Sequence, residues 1–250
     1  MSLVVPLFNE EDRLRPFVNI VAPLVGTVLC PGLVLDQVVL VDDGSSDGTA
    51  DQLAELAGRA SWTVVPATAG HGGKGDAVGR GARVARCPFL LLSDVDLAAP
   101  LNQIAKLAAA LSDGAAIAIG SRDLAGSSVT APKYRFVVGR VFNALVRATT
   151  GLDVRDTQCG FKLLDSDLAR SLLSSLQVPG LAFDVELLMR ARAGGHRVAE
   201  VPITYHHGET SRVRPAIDAA AMARDVLRLA ICLRLRPALS RRSARARVTV

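Results

Sequence analysis

The chain has 250 residues, 50% of them hydrophobic and 21% charged, with a formal net charge of +5, a balance that fits a folded globular protein and excludes a disordered or fibrous one. Its mean hydropathy is +0.31, yet no apolar run reaches the roughly 18 residues needed to span a bilayer, and the opening MSLVVPLFNE has neither the basic start nor the small-residue cleavage site of a secretion signal. The positive charge is uneven: from Arg212 to Val250 ten arginines stand against Asp218 and Asp225, which leaves the rest of the chain net acidic and limits any polyanion partner to that tail.

In chain order, short β-type runs alternate with helical patterns. SLVVPLF precedes a helix from Asp12 to about Val25, QVVLVDD a helix from about Thr49 to Arg59, WTVVPA a helix from Asp76 to Ala85, and FLLLSD a helix from Leu101 to Leu111; AAIAIGS follows. The runs at 38–41 and 89–92 are continuously apolar, as parallel strands covered on both faces require. The rhythm is that of a doubly wound α/β sheet. Beyond Ser121 come a polar loop (Arg122 to Pro132), a helix (Tyr134 to Thr150), a loop holding VRDTQCGFK, a helix (Phe183 to Ala193), the strand VAEVPITYHH and a last helix from Ala216 to about Leu235. The expected organisation is one α/β domain over 1–212, with halves 1–121 and 122–212, and a basic amphipathic helix and tail over 213–250. Cys30, Cys87, Cys159 and Cys232 are scattered without metal-ligand spacing, and at least three read as small buried hydrophobes.

Ligands of an open α/β sheet bind at the carboxyl ends of its strands, and two of these strands end in acids: Asp42 and Asp43, then Asp94 and Asp96. With one residue between them, Asp94 and Asp96 project the same way on an extended chain and can address one divalent cation or ribose together. The alternative is that Asp96 caps the next helix or that both only terminate a strand. VDDGSSDGT adds Gly44 and Ser45 and a helix cap at Asp47. AGHGGKGDAV offers glycine-rich backbone and Lys74 to a phosphate, but Gly75 follows the lysine where a Walker A loop needs Ser or Thr, and no GxGxxG follows the first strand. Those omissions argue against a P-loop nucleotidase and a nicotinamide enzyme.

The ordered set PLFNEE (6–11), VDDGSSDGT (41–49), GKGDAV (73–78), SDVD (93–96), GSRD (120–123) and RDTQCGFKLL (155–164) resembles the family 2 glycosyltransferases of the GT-A fold. Within that family it is most similar to the polyprenyl-phosphate sugar transferases, and DTQCGFK to the dolichyl-phosphate β-glucosyltransferases. The resemblance implies a Rossmann-like, mostly parallel sheet and an inverting, metal-dependent hexosyl transfer. The donor would be UDP-glucose or, alternatively, GDP-mannose. It implies that Pro6, Asn9 and Glu10 line the nucleotide pocket, that Asp43 or Asp42 contacts the base with Ser45 nearby, and that Lys74 and Gly75 sit beside base or pyrophosphate. Asp94 would face sugar or ribose, and Asp96, with Asp94 beside it, would hold Mg²⁺ or Mn²⁺. Arg122, Arg155 and Cys159 would surround the acceptor phosphate, with Asp156 orienting Arg155. Two positions depart from the pattern: Cys159 stands where relatives often carry Ser, and Ala98 where some carry Gln.

Several residues keep two readings. Asn9 and Glu10 could form a helix start, Arg122 and Arg155 surface ion pairs, and His206 with His207 a loop rather than a metal site. Phe183, Asp184 and Glu186 either suit a helix N-terminus or face the acceptor. On the last helix Met222, Val226, Leu229, Ala230 and Leu233 form one stripe with Arg224 and Arg228 opposite. That pattern suits either an anionic membrane surface or packing on the domain. The expected partners are a sugar nucleotide, a polyprenyl phosphate and a membrane surface on the cytoplasmic side. Nucleic acid is not expected, because no aromatic is interleaved with the arginines. A non-catalytic membrane-binding module of the same fold is the reading from another class.

Overall fold

A computed structural model describes residues 1–68, 70–206 and 218–231. Strands β1 (Ser2–Leu7), β4 (Gln37–Asp42), β5 (Trp62–Val65), β6 (Phe89–Leu92), β7 (Ile117–Ser121), β9 (Lys162–Asp165) and β10 (Val198–Pro202) form one sheet in the order β10-β7-β9-β6-β1-β4-β5. Its neighbours run parallel except β9, which is antiparallel to both β6 and β7. Two small ribbons accompany it: β2 (Val28–Cys30) with β3 (Leu33–Val34), and β8 (Ser128–Thr130) with β11 (Thr204–His206). The α-helices are α1 (Glu11–Val21), α2 (Thr49–Leu56), α3 (Lys74–Val84), α4 (Ile104–Ser112), α5 (Lys133–Thr150), α6 (Ser166–Leu173) and α7 (Phe183–Ala193), and a further helix covers 218–231.

Side chains of a strand alternate between faces, so the continuous apolar runs feed two cores. Leu3, Val5, Leu7, Val38, Leu40 and Leu91 pack with Leu14 and Phe17 of α1, Leu53 of α2 and Ile104 and Leu107 of α4. Val4, Val39, Val41, Leu90 and Leu92 pack with α3, α5, α6, α7 and helix 218–231. Burying both faces is the hydrophobic term that holds the sheet, about 25 cal/mol per Å² of apolar surface removed from water.

The expected α/β rhythm holds, with several differences, one of them the strand β8 inside the polar loop expected over Arg122 to Pro132. KLLD is a strand rather than the end of a loop, followed by the short helix α6, whose N-terminus the Asp165 carboxylate caps by accepting the Asp167 and Leu168 amides. VAEVPITYHH is two strands in two sheets, divided after Pro202. The stripe of the last helix turns inward: Val226 and Leu229 are buried in the core, with Met222 against them. The packing reading of that stripe is therefore the one observed, and the membrane reading of the same residues is corrected. Cys30, Cys87 and Cys159 are buried free thiols. His207, Leu233, Cys232 and every arginine of the tail except Arg224 and Arg228 lie outside the described residues.

Chain direction along the sheet fixes the site. From β1 the order runs through β4 to β5 on one side and to β6 on the other, so β1 and β6 flank the switch point where such sheets receive ligands. β6 pairs with β1 only as far as Val4. Beyond it the two strands are free to part around Pro6.

Candidate active site

The loop ends of β1 and β4 are sewn together. Asn9, at φ +56, donates its amide to Ser45 Oγ (2.9 Å) and accepts the Ser46 amide on Oδ1 (2.7 Å). Glu10 is the N-cap residue of α1 and pairs with Arg13 at 3.0 Å, so the helix-start reading applies to it. Asp42 Oδ1 accepts the Ser45 amide at 3.1 Å; the N-cap of α2 is Gly48 rather than Asp47, whose carboxylate accepts the amide of Thr49, the first helical residue, at 3.0 Å. Asp43 is buried; its carboxylate accepts the Gly72 and Gly73 amides and lies 2.8 Å from His71 Nδ1. His71 stacks on Phe8 with ring centroids 4.0 Å apart. Asp42 thus holds its own loop through Ser45 and Asp43 holds the glycine-bearing loop through Gly72 and Gly73, with Phe8 and His71 stacked beside them.

Arg80 was not apparent from sequence. Buried on α3, it donates to the carbonyls of Pro66 and Asp42 and to Asp76, joining the ends of β4 and β5 to the helix. Gly75 is buried and a Cβ there would stand 2.6 Å from that of Phe183; its amide donates to Pro179 O at 2.6 Å. This glycine lets α3 approach Phe183 and the Pro179 carbonyl closely.

Past β6 the two acids separate in environment. Lys74 Nζ lies 2.6 Å from Asp94 Oδ1. Burial would raise the Asp94 carboxyl, but the Lys74 charge and hydrogen bond, aided by Lys162 and Arg122, hold it below the usual carboxylate range. Asp96 is exposed and accepts the Ala98 amide at 3.1 Å. Its carboxyl is pushed up by desolvation and then by the neighbouring Asp94 charge. Two carboxylates that repel across one valine make a donor set fit for a hard divalent cation. Among the described residues no group of three or more His, Cys, Asp or Glu could hold a metal alone, so the remaining ligands would have to be water or diphosphate oxygens.

Opposite them, Asp156 accepts Arg122 twice through Nε (2.7 Å) and Nη2 (2.8 Å) and again through the Arg122 amide (3.0 Å). Burial would raise Asp156, and the Arg122 charge and hydrogen bonds overcome it and lower it. Asp156 therefore orients Arg122, not Arg155 as expected. Arg155 is exposed, its amide donating to Glu200 at 2.8 Å. Arg122 also lies 5.1 Å over the Tyr205 ring, whose hydroxyl burial pushes up to about 12. Tyr205, Asp94, Asp96 and Cys159 line one recess. The Cys159 thiol is raised to about 11 by burial and by Asp156 and is neutral at physiological pH. Neither Tyr205 nor Glu200 carried a sequence signal beyond lying in the run VAEVPITYHH.

Gly160 presses the loop against Asp94: a Cβ there would fall 2.3 Å from Asp94 Oδ2. Gly160→Ala is expected to lower turnover about 10²-fold, because displacing a reacting group's neighbour by about 1 Å costs that much, with little change in the melting temperature. Under the recess, Lys162 is buried and donates to Asp184 Oδ1 (2.6 Å) and to the Cys159 carbonyl (2.5 Å). Glu186 accepts the Gln177 and Val178 amides. Asp184 and Glu186 are thus inward-facing rather than plain helix-start acids. Lys162→Met should cost about 3–5 kcal/mol by stranding Asp184, and the double variant with Asp184→Leu should recover most of it; urea unfolding of the three proteins measures this.

The mixed sheet has the architecture of the GT-A glycosyltransferases. The structure of glucosyl-3-phosphoglycerate synthase from Mycobacterium tuberculosis in complex with UDP superposes with a TM-score of 0.65 at 23% identity, over 92% of this chain and 78% of that one. The model of glycosyl transferase family 2 matches residues 2–173. The chain belongs to that family and is a glycosyltransferase. The dolichyl-phosphate β-glucosyltransferase of Mus musculus is 33% identical over 91% of this chain and 74% of its own length. Glycosyltransferase AglD of Haloferax volcanii is 28% identical over 97% of this chain, which spans 39% of that longer protein. Among the described residues no helix is long and apolar enough to cross a membrane.

Proposed function

We propose that the protein transfers a hexose, glucose from UDP-glucose, to a polyprenyl phosphate, with 1–121 receiving the nucleotide and 122–212 the acceptor. The observation that carries this reading is the Arg122–Asp156 pair over the recess that Asp94 and Asp96 share. A carboxylate free to take a proton is what a hydroxyl acceptor needs, yet Asp156 is engaged three times by Arg122, Asp94 by Lys74, and exposed Asp96 is the acid this reading gives to the metal. A phosphate monoester, with a second pKa of about 6, is already ionised at neutral pH and needs a fixed cation instead of a base. The likeness to dolichyl-phosphate β-glucosyltransferases supports the same acceptor.

In this mechanism Arg122, held by Asp156 and Tyr205, aligns the acceptor oxygen with the anomeric carbon, and exposed Arg155 meets the phosphate from solvent. Lys74 lies between Asp94 and the nucleotide-side loop, placed to follow negative charge as it develops on the diphosphate. Asp96, with Asp94, would hold Mg²⁺ or Mn²⁺, which supplies further positive charge to the leaving group. Displacement from the opposite face gives a β-linked glycolipid. The test is incubation with polyprenyl phosphate and either UDP-glucose or GDP-mannose, with Mg²⁺, Mn²⁺ or chelator, and chromatography of the lipid. UDP-glucose should give a glycolipid that chelator abolishes; products on hydroxyl acceptors alone would refute the lipid-phosphate acceptor.

A further inference from the structure

We propose that the outward face of α5 is a docking surface for an anionic lipid bilayer, a proposal that rests on the lipid-phosphate reading and says from where that acceptor arrives. The sequence of α5, KYRFVVGRVFNALVRATT, has four cations and no acid. One side of the helix is covered by the chain itself, with Phe142, Asn143 and Val146 buried. The other is apolar too, and open: Tyr134, Val137, Val138 and Val141 are exposed, Val137 and Val141 at 62% and 65%. At about 100° per residue these four, with exposed Ala144 and Ala148, fill an arc of about 120° facing away from the buried side. Arg140 and Arg147 border the arc on one margin, and Arg135 donates to the Tyr134 hydroxyl at its N-terminal end. A helix apolar on its outer face, rimmed by cations and led by a tyrosine, has the make-up of one lying in a bilayer interface.

Charge decides between occupants. A second copy docking by a two-fold would set the same patch against itself, bringing together two helices that each carry four cations and no acid, with Asp123 beside Arg140 as the acid next to them. Anionic headgroups answer that charge, and exposed Arg224, Leu227, Arg228 and Ile231 on helix 218–231 repeat the chemistry on an element packed into the same core as Phe142 and Val146.

The same helix is tied to the acceptor side twice. Arg140 Nε lies 3.4 Å from Asp123 Oδ1, the residue after Arg122, and Asn143 Oδ1 accepts both the amide and the hydroxyl of Thr157, the residue after Asp156. A helix seated among headgroups therefore brings the Arg122–Asp156 pair to the plane where a lipid phosphate stands.

The test uses the full chain with vesicles of phosphatidylcholine, alone or mixed with phosphatidylglycerol. The protein should sediment with the mixed vesicles, less so at high salt, and Val137→Asp/Val141→Asp should weaken that partition more than tenfold with an unchanged melting temperature. The same variant should lose transfer to vesicle-borne polyprenyl phosphate about tenfold and keep transfer to a short, water-soluble prenyl phosphate. Sedimentation equal to wild type in the variant, no vesicle binding by wild type, or a dimer on size-exclusion chromatography that the two substitutions dissolve would overturn the proposal. Wild type that binds mixed vesicles through these valines and glycosylates neither lipid would leave the docking surface standing and refute the acceptor reading instead.

Discussion

Asp96→Ala is expected to lower glycolipid formation about a thousandfold, the scale of losing a principal stabiliser of leaving-group charge, while the fold is left intact. The side chain is exposed and its bond in the structure is to the Ala98 amide, so little packing is lost. Its negative charge also opposes Asp94 across Val95, and removing it relieves that repulsion. The melting temperature should stay level or rise slightly. Asp94→Ala differs in kind, because it also strands Lys74, whose ammonium is raised by its partnership with Asp94 against a burial that would lower it. Glycolipid chromatography, UDP release and a thermal melt on both variants separate the two cases. Turnover in Asp96→Ala equal to wild type would remove the acid pair from the mechanism.

What could be read from the sequence followed local periodicity and strand-end chemistry. Apolar runs such as VVLV and FLLL announced covered strands, and the acids directly after them marked the crevice. β9 escaped because KLLD is four residues long, follows a loop rich in polar groups, and becomes a strand only by pairing with β6 and β7 on either side. Buried charge escaped for a related reason. Nothing local to Lys162, Asp184 or Arg80 tells that tertiary packing will enclose them. The error over Asp156 is instructive, since the nearest arginine in sequence is Arg155, yet adjacent side chains on an extended segment project apart. The partner is Arg122, 34 residues earlier, delivered by the end of β7. The stripe on helix 218–231 was correctly seen as apolar, but a stripe alone does not say whether protein or lipid covers it.

Asp156→Asn carries the second large effect, and it joins stability to catalysis. The substitution keeps the shape and removes the charge that faces Arg122, leaving a cation whose side chain is 28% exposed without its bidentate acceptor. A loss of about 2–4 kcal/mol is expected, less than for a fully enclosed pair because water reaches the arginine. Its pH dependence has a fixed sign. The folded-state carboxyl of Asp156 is lowered, so the pair's contribution is fully present above the unfolded value of about 3.9 and is lost as pH falls through the lower folded value. The gap in unfolding free energy between wild type and variant should therefore be constant from neutral pH to about 4 and close only below it. The kinetic signature is selective: kcat/KM for the lipid phosphate should fall about 10²-fold while KM for the sugar nucleotide holds, as the proposed acceptor role of the pair requires. A purely structural role for the pair would instead weaken both substrates in proportion to the unfolded fraction, and lowering the assay temperature would restore them together.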